Sequence, residues 1–119
     1  FGRSGRTLVF GLPGNPVSVA VTYFLFVRFA ALLMQNAADP EMRRGNAVAM
    51  HEIRSTPKRD CYLPVSLATD DSGRLIIDSL RFTGSSDFIA FSAADALLYV
   101  QKGTTIAPGE VAEVYFLER

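Results

Sequence analysis

Residues 17–34 are apolar almost throughout and hold neither glycine nor proline, and this run limits every fold open to the chain. A helix with apolar side chains on nearly all sides must be covered by a sheet, by other helices or by lipid. Its length approaches the ~18 residues that suffice to cross a bilayer. Arg28 lies well inside it, Ser18 and Thr22 sit near its start, and strand-like sequence directly precedes it. Because an arginine in mid-membrane is costly, a helix in an α/β layer is expected and membrane insertion is not.

What precedes the run marks its beginning. Residues 7–12 are β-branched and apolar, as in a short buried strand. Leu12-Pro13-Gly14-Asn15-Pro16 then breaks the strand. Asn15 suits an N-cap, where its side-chain oxygen can accept from a free amide, and Pro16 suits the first helical position. Strand, tight loop and helix together make half of a βαβ unit.

Beyond Asp39-Pro40 the period changes. Residues 46–54 and 61–69 read as strands, Asp70-Asp71-Ser72-Gly73 as a turn, and residues 74–80 as the returning strand of a hairpin. A Gly-Ser-Ser-Asp turn follows within 82–91, and Ser92-Ala93-Ala94-Asp95 suits a single helical turn. Residues 97–101 are another strand. Pro108-Gly109 favours a type II turn, and residues 110–117 close the chain with Ala112, Val114 and Phe116 on one face. Short strands in this number predict a small barrel or sandwich. The expected fold is therefore a mixed α/β piece, strand plus long helix, followed by a small all-β barrel. The division is 1–38 and 42–119, with the helix outside the barrel.

Composition narrows the function. Lys+Arg and Asp+Glu both number 12, so no basic excess points to nucleic acid or an anionic membrane. Cys61 is the only cysteine and His51 the only histidine, which excludes an intrachain disulfide and a cysteine-rich zinc cluster. A reducing, cytoplasmic setting fits. The opening Phe1-Gly2-Arg3-Ser4-Gly5-Arg6 lacks an initiator Met and does not resemble a signal peptide, so a piece of a longer protein is expected.

The loop 11–18 carries the chemistry. A helix N-terminus directly after a strand presents free amides and the positive end of the helix dipole, both of which favour an anion. Gly14 permits close approach to the backbone, and the prolines limit the entropy lost on binding. Neither a dinucleotide fingerprint nor a P-loop is present.

Leu-Pro-Gly-Asn-Pro-Val-Ser followed by a long apolar helix resembles the signature near the end of the molybdopterin-binding domain in the MoeA and gephyrin E-domain family. The remainder is similar to that family's last domain, a small β-barrel. The parallels are Thr56-Pro57-Lys58-Arg59, Gly84-Ser85, residues 91–98, and Pro108-Gly109-Glu110-Val111. Two positions depart from the family pattern: Pro64 stands where a second arginine is common, and Ser86 where glycine or histidine is usual.

The resemblance implies a molybdopterin molybdenumtransferase that inserts molybdate into adenylylated molybdopterin and releases AMP, assisted by Mg²⁺. It implies substrate contacts at Pro13, Gly14, Asn15, Pro16 and Ser18, with Arg59 and Ser85 lining the cleft beside the barrel. The family's acidic cluster and lysine belong to upstream sequence, so no metal ligand or catalytic residue is assigned here. This chain alone is expected to be inactive and to bind no cofactor, and the intact protein to be a homodimer. The helix 17–34 has more apolar surface than one strand can cover, so self-association or instability of the isolated chain is expected. The gephyrin branch offers the competing role, a peptide-binding or scaffolding module. A groove lined by Phe82, Phe88 or Phe91 would favour that role.

Overall fold

The sharp turn at Gly5-Arg6 sets the first element. Gly5 takes a φ of 58°, the left-handed value that a two-residue hairpin loop requires. It joins β1 (Gly2–Ser4) to β2 (Thr7–Val9), antiparallel, with Ser4 opposite Thr7 and Gly2 opposite Val9. A computed structural model describes residues 1–78, 84 and 87–118. The strand expected over 7–12 is thus shorter, ending at Val9, and it is not buried, since Thr7 and Val9 are exposed. Its one strand neighbour among the described residues is β1, and a two-stranded ribbon has little to bury it.

The long helix spans Pro16–Met34 and widens to a π-helical turn at Tyr23–Val27. It stops where Asn36 adopts a φ of 56°, with the Asn36 amide on the Leu33 carbonyl (3.0 Å) and the Ala37 amide on the Leu32 carbonyl (3.0 Å). One face packs on the outside of the barrel. Val17, Ala20, Val21, Phe24 and Leu25 meet Phe91, Leu97, Tyr62, Tyr115 and Leu117. The helix therefore does not plug the barrel interior, as the change of period predicts. On its other side Phe26, Leu33 and Met34 are 57%, 49% and 69% exposed. By length and composition alone the helix could cross a membrane.

The barrel is built from β3 (Arg44–Ala49), β5 (Cys61–Thr69), β6 (Leu75–Asp78), β7 (Ala96–Val100) and β9 (Val111–Phe116), in the closed order β3-β6-β5-β7-β9. β4 (Ile53–Arg54) and β8 (Thr105–Ile106) form a separate antiparallel pair. Every barrel pairing is antiparallel except β3 with β6, which runs parallel through Val48↔Ile76 and Ala49↔Ile77. Alternation sorts the side chains. Ala96, Leu98 and Val100 join Ala47, Val65, Ile77, Ala112 and Val114 inside, whereas Leu97 points out to the helix. β7 is covered on both faces, which explains why its sequence is apolar without alternation.

Two further expectations are revised. The run 46–54 divides at Met50-His51 into β3 and β4, which enter different sheets. The helical turn lies at Phe88–Ser92 rather than 92–95, because the Asp87 carboxylate accepts the Ala90 amide (2.9 Å) and caps it there. Asp95 serves the barrel instead, accepting the Leu67 amide (2.9 Å). The hairpin turn at Asp70 and the type II turn with Gly109 at a φ of 87° stand as expected. Residues 79–80, Phe82, Ser85 and Ser86 lie outside the described residues.

Two outcomes follow from this packing. A Cβ at Gly45 would stand 2.9 Å from the Phe116 ring, which itself packs on the core. Gly45→Val should therefore destabilise the chain by roughly 1–3 kcal/mol, measured by urea denaturation. Asp70 accepts from the Ser72 hydroxyl (2.7 Å), the Ser72 and Arg74 amides (both 2.9 Å) and the Arg74 guanidinium (2.8 Å). These bonds, the Ser72 hydroxyl foremost, hold its carboxyl well below the ordinary value of 3.8. A depressed folded pKa gives stability that is present above the unfolded pKa and lost as pH falls below it. Asp70→Asn should flatten the acid limb of the stability profile between about pH 2 and pH 5, where wild type loses stability progressively.

Candidate functional site

The loop predicted to receive an anion is open to solvent. Pro13, Gly14, Asn15 and Pro16 are exposed, Val17 is buried as the anchor, and Ser18 is half-buried. Pro16 takes the first helical position as expected. Asn15 holds the N-cap position with extended backbone, but its side chain makes no capping bond. The reading of Asn15 as a side-chain cap is thereby corrected: only its carbonyl takes part, accepting the Val19 amide at 2.9 Å. That bond is the first of the helix, so the amides of Val17 and Ser18 stand ahead of it. A Cβ at Gly14 would meet nothing within 4 Å, so the fold itself does not demand glycine there.

Arg59 is exposed on the connection from β4 to β5 and forms no ion pair among the described residues. The backbone around it is tied down. Thr56 Oγ1 donates to the Arg59 carbonyl (3.3 Å), and the Gly103 amide donates to the Thr56 carbonyl (3.0 Å). Cys61, a half-buried strand residue, also points its thiol at the Arg59 carbonyl (3.7 Å). Nearby Asp60 accepts the Lys102 amide (2.8 Å) and the Tyr99 hydroxyl (3.2 Å). Burial, then the Asp60 bond, pushes the Tyr99 hydroxyl up.

The loop residues are contiguous, but among the described residues no hydrogen bond or ion pair joins them to Arg59, and neither groove beside the helix holds both. Val17 leans on Phe91 and Leu97, whereas Arg59 emerges beyond Cys61, which pairs with Val100. Along β7 that is a separation of roughly 10 Å. Ser85 lies outside the described residues. Among the described residues no group of three His, Cys, Asp or Glu side chains could hold a metal ion, so the residues present do not fit Mg²⁺.

Among the described residues, grooves lie on two sides of the helix. One, about 550 Å³, lies between hairpin and helix and is walled by Leu8, Phe10, Leu12, Pro13, Phe26 and Phe29 among others. Of the sequence-predicted site residues that are described, only Pro13 reaches it. The alternation of Leu8, Phe10 and Leu12 is the signal for that wall. The other, about 240 Å³, lies between helix and barrel and is lined by Phe24, Leu25, Phe29, Glu41, Met42, Arg44 and Tyr115. Phe88 and Phe91 are absent from its lining, so the groove expected for a peptide has a different wall.

The family model of the MoeA C-terminal region (domain IV) matches residues 46–117. Molybdopterin molybdenumtransferase 1 of Mycobacterium tuberculosis, in strains CDC 1551 / Oshkosh and ATCC 25618 / H37Rv, is 35% identical over 124 residues, covering 98% of this chain. The chain spans 29% of the length of those relatives. The molybdopterin biosynthesis MoeA protein from Pyrococcus horikoshii OT3 superposes with a TM-score of 0.68 at 22% identity, over 87% of this chain and 26% of that one, a likeness of fold. A molybdenum cofactor biosynthesis protein from Pyrococcus furiosus gives a TM-score of 0.65 at 25% identity, over 87% of this chain and 36% of its own.

The two N-caps make a paired test. Asp87→Ala removes a side-chain cap and should cost about 1 kcal/mol, whereas Asn15→Ala removes none and should cost under about 0.5 kcal/mol. Chemical denaturation of both variants checks the ordering.

Proposed function

The chain belongs to the MoeA family, as its C-terminal region, and from that premise we propose that it is the C-terminal part of a molybdopterin molybdenumtransferase. In this reading the whole enzyme inserts molybdate into adenylylated molybdopterin and releases AMP, in molybdenum cofactor biosynthesis. Residues 1–38 are the last strand, loop and helix of its molybdopterin-binding α/β domain, and residues 42–119 are its barrel domain. The observation that carries the reading is the 35% identity to molybdopterin molybdenumtransferase 1 across 98% of the chain, loop and helix included.

The amides ahead of Val19, reached past Pro13, Gly14, Asn15, Pro16 and Ser18, receive the anionic end of the substrate, while Arg59 and Ser85 approach it from the barrel. Mg²⁺ is held by carboxylates of preceding sequence, and no step is assigned to it on this chain. The parent is a cytoplasmic homodimer. Equal numbers of basic and acidic residues support the absence of a nucleic-acid partner. The pairing of Arg28 with Glu118 supports a helix covered by protein rather than inserted in a membrane. A second reading, a peptide-binding module of the gephyrin type, is favoured by the groove holding Phe24, Met42, Arg44 and Tyr115.

Space around Gly14 is open, so Gly14→Val should leave the fold intact. In the intact enzyme it should weaken binding of the adenylylated pterin roughly tenfold, the equivalent of losing one charge-assisted hydrogen bond. Equal affinity would reduce the loop to a structural joint. With substrate, Mg²⁺ and molybdate supplied, AMP release should occur with the intact enzyme and not with residues 1–119 alone. Turnover by the latter would relocate the catalytic centre, and turnover by neither would favour the peptide-binding reading.

A further inference from the structure

The helix rests on the barrel almost entirely through apolar contacts, which select the face that is buried but are less directional than an ion pair. Val17, Ala20, Val21, Phe24 and Leu25 supply them. Among the described residues, one polar bond joins the long helix to the barrel portion, from Arg28 Nη2 to Glu118 Oε2 at 2.7 Å. Glu118 also takes Arg43 Nε on its other oxygen, at 3.2 Å. Arg43 and Glu118 flank paired barrel strands, for the Phe116 amide donates to the Arg43 carbonyl (2.9 Å). One carboxylate thus ties together the helix, the entry to β3 and the exit from β9.

Arg28 occupies this place at a cost. Its side chain is 19% exposed, and Nη1 is buried with no acceptor among the described residues. Burying a guanidinium whose donors are not all met is unfavourable, and apolar side chains of similar size often replace such pairs with no loss of stability. What an ion pair supplies and grease does not is direction. Val17 and Arg28 lie eleven residues apart, about 16 Å along the axis. The helix is thus held on the barrel side at two points, and beyond Arg28 its Leu33 and Met34 are exposed.

We propose that Glu118, gripping Arg28 and Arg43 together, is an ionic clasp that fixes the rotation of the long helix on the barrel. It thereby sets the direction in which the Phe26 and Phe29 groove and the 11–18 loop face. This is a positioning role, independent of any ligand at the loop.

The test reads orientation separately from stability. Spin labels are placed at Leu33→Cys and Asp71→Cys in a Cys61→Ser background, and their distance distribution is measured by pulsed electron paramagnetic resonance. The clasped chain should give one narrow distance. Glu118→Gln should lose it, and so should Arg28→Met/Glu118→Gln, although the double variant leaves no charge buried and should recover the melting temperature lost in the single one. Should Glu118→Gln fail to fold, the double variant decides alone. A narrow distance kept in the double variant overturns the clasp, since packing would then fix the rotation without the ion pair. Loss in the single variant with recovery in the double overturns it too, by tracing the disorder to an unpaired charge.

Discussion

Leu97 and its neighbours on β7 hold the two parts of the chain together. Ala96, Leu98 and Val100 point into the barrel, Leu97 points out onto Val17 and Phe91, and none of the four retains more than 1% exposure. One strand is therefore shared by two hydrophobic clusters. Each large side chain so buried contributes about 1.5–3 kcal/mol. A polar residue at Leu97 would leave the barrel lining intact yet weaken the seating of the helix, and with it that of the loop 11–18. The position of the candidate site thus depends on the outward face of a barrel strand.

Much of this was legible because period carries it. Turn residues at both ends and a mostly apolar interior place β5 over 61–69, and it forms over Cys61–Thr69. Pro16 and the unbroken run after it located the helix. The pattern failed where partners outside the local window decide. Nothing in residues 7–12 announces an exposed ribbon. Asn15 has the right side chain for a cap and does not use it, while Asp87, overlooked as a cap, does. The site was legible only as a loop. Spacing along the chain does not say that Arg59 leaves the barrel beyond the Val100 end of β7 while the loop anchors near Leu97.

The lone arginine in the apolar run is instructive in the same way. Read locally, Arg28 argues against lipid; in three dimensions it argues for a carboxylate brought from near the far end of the chain. An isolated charge in grease is a request for a partner, and the request can be read before the partner is known.

The barrel's strand order also governs when it can exist. β3 is the first barrel strand to be synthesised, and its neighbours are β6, through two residue pairs, and β9, the last strand made. On a chain emerging from a ribosome, Ala47 and Ala49 must wait for β9 before that edge of their strand is paired. The hairpin of β5 and β6 can form early, but the ring is sealed from its two ends, so closure comes as one late event. The helix face that packs on Leu97 and Phe91, emerging before any stave of the ring, passes that interval without its barrel partner.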